Sequence, residues 1–140
     1  PLFAGHNDPE LGEIYQAECA RLGHEGGWTM IPSGPMFVHV SDDPERDWAR
    51  IGPIALDDAA VMASWQTAGN RSLVDSAATT LHDLRLEGTY RVLTPDECVA
   101  LCREVHTLTL HPLMGGLDPD LSWASLELFE SDVLPRLRAN

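Results

Sequence analysis

The sequence contains no lysine: its nine basic residues are all arginines, and they stand against 22 acidic residues, for a net charge of -13. Without a lysine amine, Schiff-base chemistry, a pyridoxal-phosphate anchor and a P-loop lysine are excluded. The acidic excess also disfavours non-specific binding to nucleic acids and to anionic membranes, because the electrostatic attraction that dominates such binding would become a repulsion. We therefore expect no nucleic acid and no membrane among the partners.

Long apolar runs are also absent. No stretch approaches the ~18 residues of a membrane span, and the N-terminus lacks the charged and then apolar layout of a signal peptide. The three cysteines, Cys19, Cys98 and Cys102, are an odd number, which is typical of reduced thiols and not of a disulfide framework. These features predict a cytoplasmic protein. Because the chain begins directly with an apolar segment, we expect it to start in the middle of a fold.

The residues that are present predict one α/β domain over residues 1–140. Hydrophobic residues make up 44% of the chain, which is enough for a buried core, and neither a repeat nor a low-complexity tract interrupts it. Short apolar segments alternate with segments of helical periodicity, which favours parallel strands joined by helices. The predicted strands are residues 2–4, 28–31, 36–40 and 107–113. The predicted helices are residues 9–22, 44–65 in two pieces that meet at Pro53, 77–86, 95–105 and 121–137, with a loop at 67–76.

The turn after the first predicted strand is a candidate binding site. Gly5, His6 and Asn7 follow that strand, and Asp8 then carries the capping signal of a helix. Free N–H groups and the helix dipole at a helix N-terminus favour an anion, so a phosphate is a candidate ligand. The alternative is an ordinary turn in which Asp8 only caps the helix.

A second candidate is a metal site. Cys98, Cys102 and His106 are spaced i, i+4, i+8, so they would share one face of a helix, and His111 follows a few residues later. Structural zinc sites usually take their ligands from separate turns, however, and buried cysteines often behave as small apolar residues. The alternative, which we favour, is that both cysteines belong to a core stripe.

The end of the last predicted strand is a third candidate. His111 lies there, just before the turn that contains Gly115 and Gly116. Parallel α/β folds place their ligand-binding loops at such strand ends, so His111 is a candidate for a polar group that lines a pocket. The alternative is a half-buried histidine whose ring is bonded to backbone.

The remaining polar residues predict no catalytic group. His39 lies inside a predicted strand and is interpreted as facing solvent or bonded to a neighbour. Paired carboxylates occur at predicted helix starts and loops, where capping and solvation explain them. These pairs are Asp42 with Asp43, Asp57 with Asp58, and Asp118 with Asp120. No Gly-x-Ser-x-Gly motif occurs, so the catalytic residues stay unknown.

Several segments, in a fixed order, resemble the C-terminal part of the luciferase-like monooxygenases, which are flavin- or deazaflavin-dependent TIM-barrel enzymes. The segments are PLFAG at 1–5, YQAECARLG at 15–23, FVHVSDDPERDW at 37–48, YRVLTPDEC at 90–98, and HPLMGGLDP at 111–119 with VLPRL at 133–137. They resemble, in turn, that family's late strand with its phosphate turn and helix, an intervening segment, a capped helix start, and a glycine turn with the closing helix.

The resemblance implies a partial (β/α) barrel made of the last strand-helix units of a TIM barrel, with parallel strands and covering helices. It also implies FMN or the deazaflavin coenzyme F420 as cofactor, a small organic substrate, and an oxidoreductase or monooxygenase activity. The residues that it implies for cofactor binding are Gly5, His6, Asn7, His111, Gly115 and Gly116.

The length of the chain sets a further expectation. A complete barrel needs ~250 residues, whereas this chain has 140. A partial barrel leaves strand edges and helix faces uncovered, so we expect a homo-oligomer or pairing with a missing N-terminal half. The alternative is a catalytically inert, self-associating, truncated α/β domain of the same family.

Overall fold

The computed structural model contains four short strands and six α-helices in the part of the chain that it describes, residues 1–4, 8–31, 34–66, 74, 76–105 and 107–139. In chain order the elements are β1 (Leu2–Phe3), α1 (Pro9–Arg21), β2 (Thr29–Met30), β3 (Phe37–Val40), α2 (Pro44–Ser64), α3 (Leu81–Glu87), β4 (Tyr90–Leu93), α4 (Pro95–Glu104), α5 (Pro119–Leu128) and α6 (Leu134–Arg138). A 3-10 turn covers Met114–Gly116, and a π turn at Phe129–Val133 joins α5 to α6. Among these elements, none of the helices has the length and apolar character needed to cross a bilayer.

The strands form two parallel pairs. β1 pairs with β2 and β3 pairs with β4, the latter with Phe37 opposite Tyr90 and Val40 opposite Leu93. At least one helix lies between the two strands of each pair, as parallel pairing requires. The prediction of a mixed α/β chain with parallel strands is therefore confirmed, and so are the predicted strands at 2–4, 28–31 and 36–40.

Helices cover both faces of the β3–β4 pair. On one face, Phe37 and Tyr90 pack with Trp48, Ile51 and other residues of α2. On the opposite face, Val38 and Val40 pack with Cys98 and other residues of α4 and with the C-terminal helices. A TIM barrel keeps its helices outside and packs side chains inside. The described residues form no closed barrel, and the predicted partial barrel is not confirmed.

The sequence signals for helix ends are confirmed at several places. Asp8 caps α1 through its side chain, and Thr94 forms a reciprocal capping box with Glu97 at the start of α4. At the end of α3, Gly88 adopts a left-handed conformation with a φ of 71°, which glycine reaches without a Cβ penalty. These local interactions satisfy backbone groups that the helices themselves leave unpaired.

The prediction of two helices that meet at Pro53 is wrong, because α2 is one helix of 21 residues with Pro53 inside it. A proline in a helix interior costs about 3 kcal/mol or more, since it removes a hydrogen bond and crowds the preceding turn. Here its ring lies on the exposed side, while Ile51 and Ala55 on the opposite side are completely buried. Packing of this face against the strand pair outweighs the local cost.

The predicted strand at 107–113 is also wrong. Residues 107–111 join no ladder, and the 3-10 turn follows them. The alternating residues Leu108 and Leu110 pack instead on the core cluster that contains Val38. The edge of β3 also has another partner, because the Val40 N–H donates a 2.7 Å hydrogen bond to the Ser125 hydroxyl of α5. These alternating apolar residues therefore pack against the core without pairing as a strand.

The predicted C-terminal helix at 121–137 is confirmed as a continuous helical segment with a π turn in its middle. Pro135 has no N–H to donate to the Ser131 carbonyl, and its ring crowds that carbonyl. A π turn before the proline accommodates this loss. The apolar side of the segment faces α4, and Val133 is completely buried there.

Candidate functional site

The predicted phosphate turn at Gly5, His6 and Asn7 lies outside the described residues, but both of its flanks are described. β1 precedes these residues and α1 follows them, so the strand and the helix predicted on either side are confirmed. The Asp8 carboxylate accepts a hydrogen bond from the Glu10 N–H at 3.1 Å. The next amide, that of residue 11, bonds to the Asp8 carbonyl at 3.2 Å. These two N–H groups of α1 therefore already have partners within the chain.

The predicted site at His111, Gly115 and Gly116 is an exposed turn beside α2. The His111 side chain is exposed, and its carbonyl accepts a hydrogen bond from the Met114 N–H at 3.2 Å. Gly115 has a φ of 57°, and a Cβ added there would lie 2.7 Å from Cγ2 of Ile54. Gly116 has a φ of 80°, with open space around it. The backbone conformation and the close packing on α2 thus explain why position 115 is a glycine.

Cys98 and Cys102, from the predicted metal site, lie one turn apart on α4. Cys98 is completely buried in the core cluster with Val38, as the alternative interpretation predicted. Burial raises the pKa of the Cys98 thiol to about 12, and the neighbouring Cys102 adds to this effect. His106 lies outside the described residues, and within the rest no group of three or more ligating side chains has the arrangement of a metal site.

A buried polar cluster that the sequence did not predict lies at the carboxyl end of β3. It consists of His39, Ser41 and Asp47, each no more than 4% exposed. The Ser41 hydroxyl donates a 2.6 Å hydrogen bond to Oδ2 of Asp47, and Nε2 of His39 lies 3.7 Å from the same oxygen. Arg46 covers the cluster from the solvent side and donates to both Asp47 oxygens, at 2.9 and 3.1 Å.

The surroundings of Asp47 and His39 determine the protonation state of each side chain. Hydrogen bonds from Arg46 lower the pKa of Asp47, and the bond from Ser41 lowers it further against the effect of burial. Burial lowers the pKa of His39, although the nearby Asp47 carboxylate opposes that shift. At neutral pH the cluster therefore contains an ionised Asp47 paired with Arg46, beside a neutral His39.

This geometry positions a loop and does not activate a nucleophile. In a serine–histidine–aspartate triad the serine donates to the histidine, whereas Ser41 donates to the carboxylate. The Ser41 oxygen also accepts a 3.0 Å bond from the Asp43 N–H, and Asp43 caps α2. The cluster thus fixes the β3–α2 loop, which lies at the strand end where parallel α/β proteins bind their ligands.

The prediction that His39 faces solvent is wrong, although the alternative of a bonded neighbour agrees with its position beside Asp47. Phe37 and His39 are two residues apart and therefore point to the same face of the strand, and their rings stack with centroids 6.3 Å apart. The apolar Phe37 was the sequence signal that could have placed His39 inside.

Comparison with known proteins identifies no relative of this chain. Neither a protein-family model, nor a curated protein, nor a solved structure matches it. Function is therefore inferred from the residues of the chain and their geometry.

Proposed function

We propose that the chain is the C-terminal region of a luciferase-like oxidoreductase that uses FMN or a deazaflavin, and that it contributes to binding the cofactor phosphate. In this proposal residues 1–140 supply the last strand-helix units of a (β/α) barrel. The observation that carries the proposal is the parallel pair β1–β2 with α1 between its strands. Residues 5–7 follow β1 and precede the N-terminus of α1, which is the common location of phosphate groups in α/β proteins.

The flanks of the turn define which groups are available to a phosphate. The amides of Glu10 and residue 11 are bonded to Asp8, and the carboxylates of Asp8 and Glu10 repel an anion. Phosphate binding therefore depends on the backbone of the turn and on the side chains of His6 and Asn7. A bound flavin or deazaflavin supplies the hydride transfer or oxygen activation, and the chain supplies binding and orientation.

The proposal also requires a partner for the uncovered side of the β1–β2 pair. The rings of Phe3 and Trp28 pack edge to face at 5.1 Å, yet they are 62% and 48% exposed. The N-terminal half of a barrel or a second copy of the chain would cover this surface. A cytoplasmic location belongs to the same proposal and is supported by the three cysteines, which are free.

A second candidate function is a catalytically inert domain that self-associates through this apolar surface. It is favoured by the exposure of Phe3 and Trp28 and by the packing role of Gly115, which leaves that glycine without a need for a ligand. The two candidates differ in whether the turn at 5–7 binds a cofactor.

Titration of the 140-residue protein with FMN and with the deazaflavin cofactor, followed by fluorescence anisotropy, tests the proposal. We expect saturable binding that weakens in a double variant with His6→Ala and Asn7→Ala. The matched control is His82→Ala, which removes an exposed histidine on α3. Absence of binding up to about millimolar cofactor, equivalent to about 4 kcal/mol or less, would overturn the proposal and favour the inert domain.

A further inference from the structure

The two edges of the β3–β4 pair differ in how they are covered. The edge of β3 is covered by α5, whose Ser125 accepts the Val40 N–H. β4 has no partner strand on its other side among the described residues. The Thr89 carbonyl accepts a hydrogen bond from the Phe37 N–H of β3, and the Leu93 carbonyl accepts one from the N–H of Ser41, just after β3. Because successive residues of a strand alternate in direction, the N–H and C=O groups of Tyr90 and Val92 point to the free edge.

A cleft of about 180 Å³ runs along this free edge. Its lining consists of Pro44 and Trp48 of α2, Arg85 of α3, and the four residues Tyr90 to Leu93 of β4. Side chains alternate between the two faces of a strand, so four consecutive residues line one cleft only where the strand presents its edge. Backbone donors and acceptors of β4 therefore form part of the cleft wall.

Two arginines flank the edge from opposite faces of the strand pair. Tyr90 and Val92 pack on the α2 side, so Arg91 between them points to the α4 side. Arg85 lies on the α2 side, with its guanidinium 5.7 Å from the centre of the Trp48 ring. Arg91 forms neither an ion pair nor a hydrogen bond with any side chain that the structure describes. Arg85 pairs with Glu45, but a guanidinium has five donors and keeps some of them free.

The size and charge of the cleft indicate which occupant fits. A cleft of about 180 Å³ is smaller than the roughly 300–1,000 Å³ of typical small-molecule sites, but an extended strand needs only a free edge and room for single side chains. A second copy of β4 would bring arginine against arginine, which is unfavourable. Salt screens exposed charges that are farther apart than about 8 Å, so the charges next to the cleft act on its occupant more strongly than the overall charge of -13 does.

We infer that the free edge of β4 binds an extended peptide segment of another protein by strand addition, and that acidic side chains of this segment pair with Arg85 and Arg91. Backbone hydrogen bonds to Tyr90 and Val92 supply the affinity, and the two arginines supply the preference for acidic sequences. This site shares no residue with the segment at 5–7, but it uses the β4 edge that a neighbouring strand would take in a completed barrel, so the inference rests on the second candidate function.

Selection from a displayed library of random nine-residue peptides against the immobilised 140-residue chain tests the inference. We expect the enriched peptides to alternate β-branched residues with aspartate or glutamate. In heteronuclear NMR, a synthetic copy of an enriched peptide should slow the exchange of the Tyr90 and Val92 amides with solvent.

Charge reversal makes the test specific. Arg91→Glu should weaken binding of the acidic peptide about tenfold, because attraction becomes repulsion, and a lysine-substituted peptide should regain affinity for this variant. Arg85→Gln should weaken binding of the acidic peptide without creating a preference for the lysine-substituted peptide. It provides a second variant if Arg91→Glu lowers stability. The control is Arg103→Glu, an exposed arginine on α4 that should leave the affinity unchanged.

Three results would overturn the inference. One is a selection that enriches no peptide. Another is an enriched peptide that binds the Arg91→Glu and Arg103→Glu variants equally well. The third is protection of amides elsewhere than at Tyr90 and Val92, which would assign the peptide to a different surface, including one that joins two copies of this chain.

Discussion

The Tyr90 hydroxyl donates a 2.7 Å hydrogen bond to Oδ2 of Asp58, and this bond ties the first residue of β4 to the middle of α2. Tyr90 is almost completely buried, and burial together with the Asp58 hydrogen bond raises the pKa of its phenol far above the ordinary value. The phenol therefore stays protonated at neutral pH and remains a hydrogen-bond donor.

Replacing Tyr90 with Phe should lower the free energy of unfolding by about 1 to 2 kcal/mol, because a half-buried carboxylate loses its hydrogen-bond donor. Urea denaturation at neutral pH measures this loss. Asp58→Asn should have a smaller effect, since the amide oxygen still accepts the bond. Asp57→Asn, at the exposed neighbouring position, is the control, and an equal loss there would contradict the assignment.

The two glycines of the 3-10 turn should respond differently to alanine. Both have positive φ angles, so each substitution costs about 1 to 2 kcal/mol of backbone strain. Gly115→Ala should cost more than Gly116→Ala, because only its Cβ meets Ile54, at 2.7 Å. Thermal unfolding of the two variants makes the comparison. Ile54→Leu, which has no Cγ2 methyl but keeps a side chain of the same size, should recover part of the loss in Gly115→Ala and none in Gly116→Ala.

The buried His39 should make the protein less stable in mild acid. Its pKa in the folded state lies below the ordinary 6.5, so the unfolded state binds more protons as the pH falls below that value. Stability is therefore complete above about pH 6.5 and decreases towards about pH 5. Asp47 and Arg50 are the charged groups that act on the ring, and Arg46 pairs with Asp47. Because the pKa of Asp47 is lowered, the stability that its ionised form contributes is lost only in stronger acid.

His39→Gln should flatten this acid dependence, measured as the free energy of unfolding in urea between about pH 7 and about pH 5. Substitution of His82, which is exposed on α3, serves as the control for the loss of a histidine. An unchanged slope in His39→Gln would show that other groups cause the acid sensitivity.

The apolar surface at Phe3 and Trp28 should cause self-association. We expect sedimentation velocity at micromolar concentration to detect dimers or larger species of the wild-type chain, because exposed aromatic surface favours association. A double variant with Phe3→Ser and Trp28→Ser should shift the protein to monomer. Trp123→Ser removes a tryptophan of α5 that is 63% exposed, more than Trp28, and should not shift the protein to monomer. A monodisperse wild-type monomer would count against both candidate functions that require this surface to be covered.

Local signals in the sequence predicted the helix starts correctly, because capping acts within a few residues. Asp8 was identified as a cap from the residues that follow it, the helix at 95–105 was predicted to begin directly after Thr94, and the structure shows a side-chain cap at both positions. The prediction of a helix break at Pro53 was wrong for the same reason. The sequence shows the local cost of the proline, but it does not show that Ile51 packs against distant residues. β4 was not predicted at all: its four residues form a strand only because β3 lies beside them.

The polar cluster at β3 could not be predicted from the sequence for a related reason. Phe37 could have placed His39 on the buried face of the strand, but no nearby residue identifies its partner Asp47, which approaches only after the loop at Ser41 to Asp43 has turned the chain back. The flanks of the predicted phosphate turn were predictable because both depend on neighbouring residues. The tertiary surroundings of Gly115 were not, because Ile54 lies 61 positions away in the sequence.

The hydrogen bond from Val40 to Ser125 spans 85 positions of the chain. During synthesis, β3 therefore emerges long before the residue that covers its edge, and it cannot acquire that partner until the C-terminal helix is complete. Long-range pairings of this kind slow folding, because the intervening loop must close first. A nascent chain that stops short of α5 would leave the Val40 amide and one edge of the strand pair open to other chains.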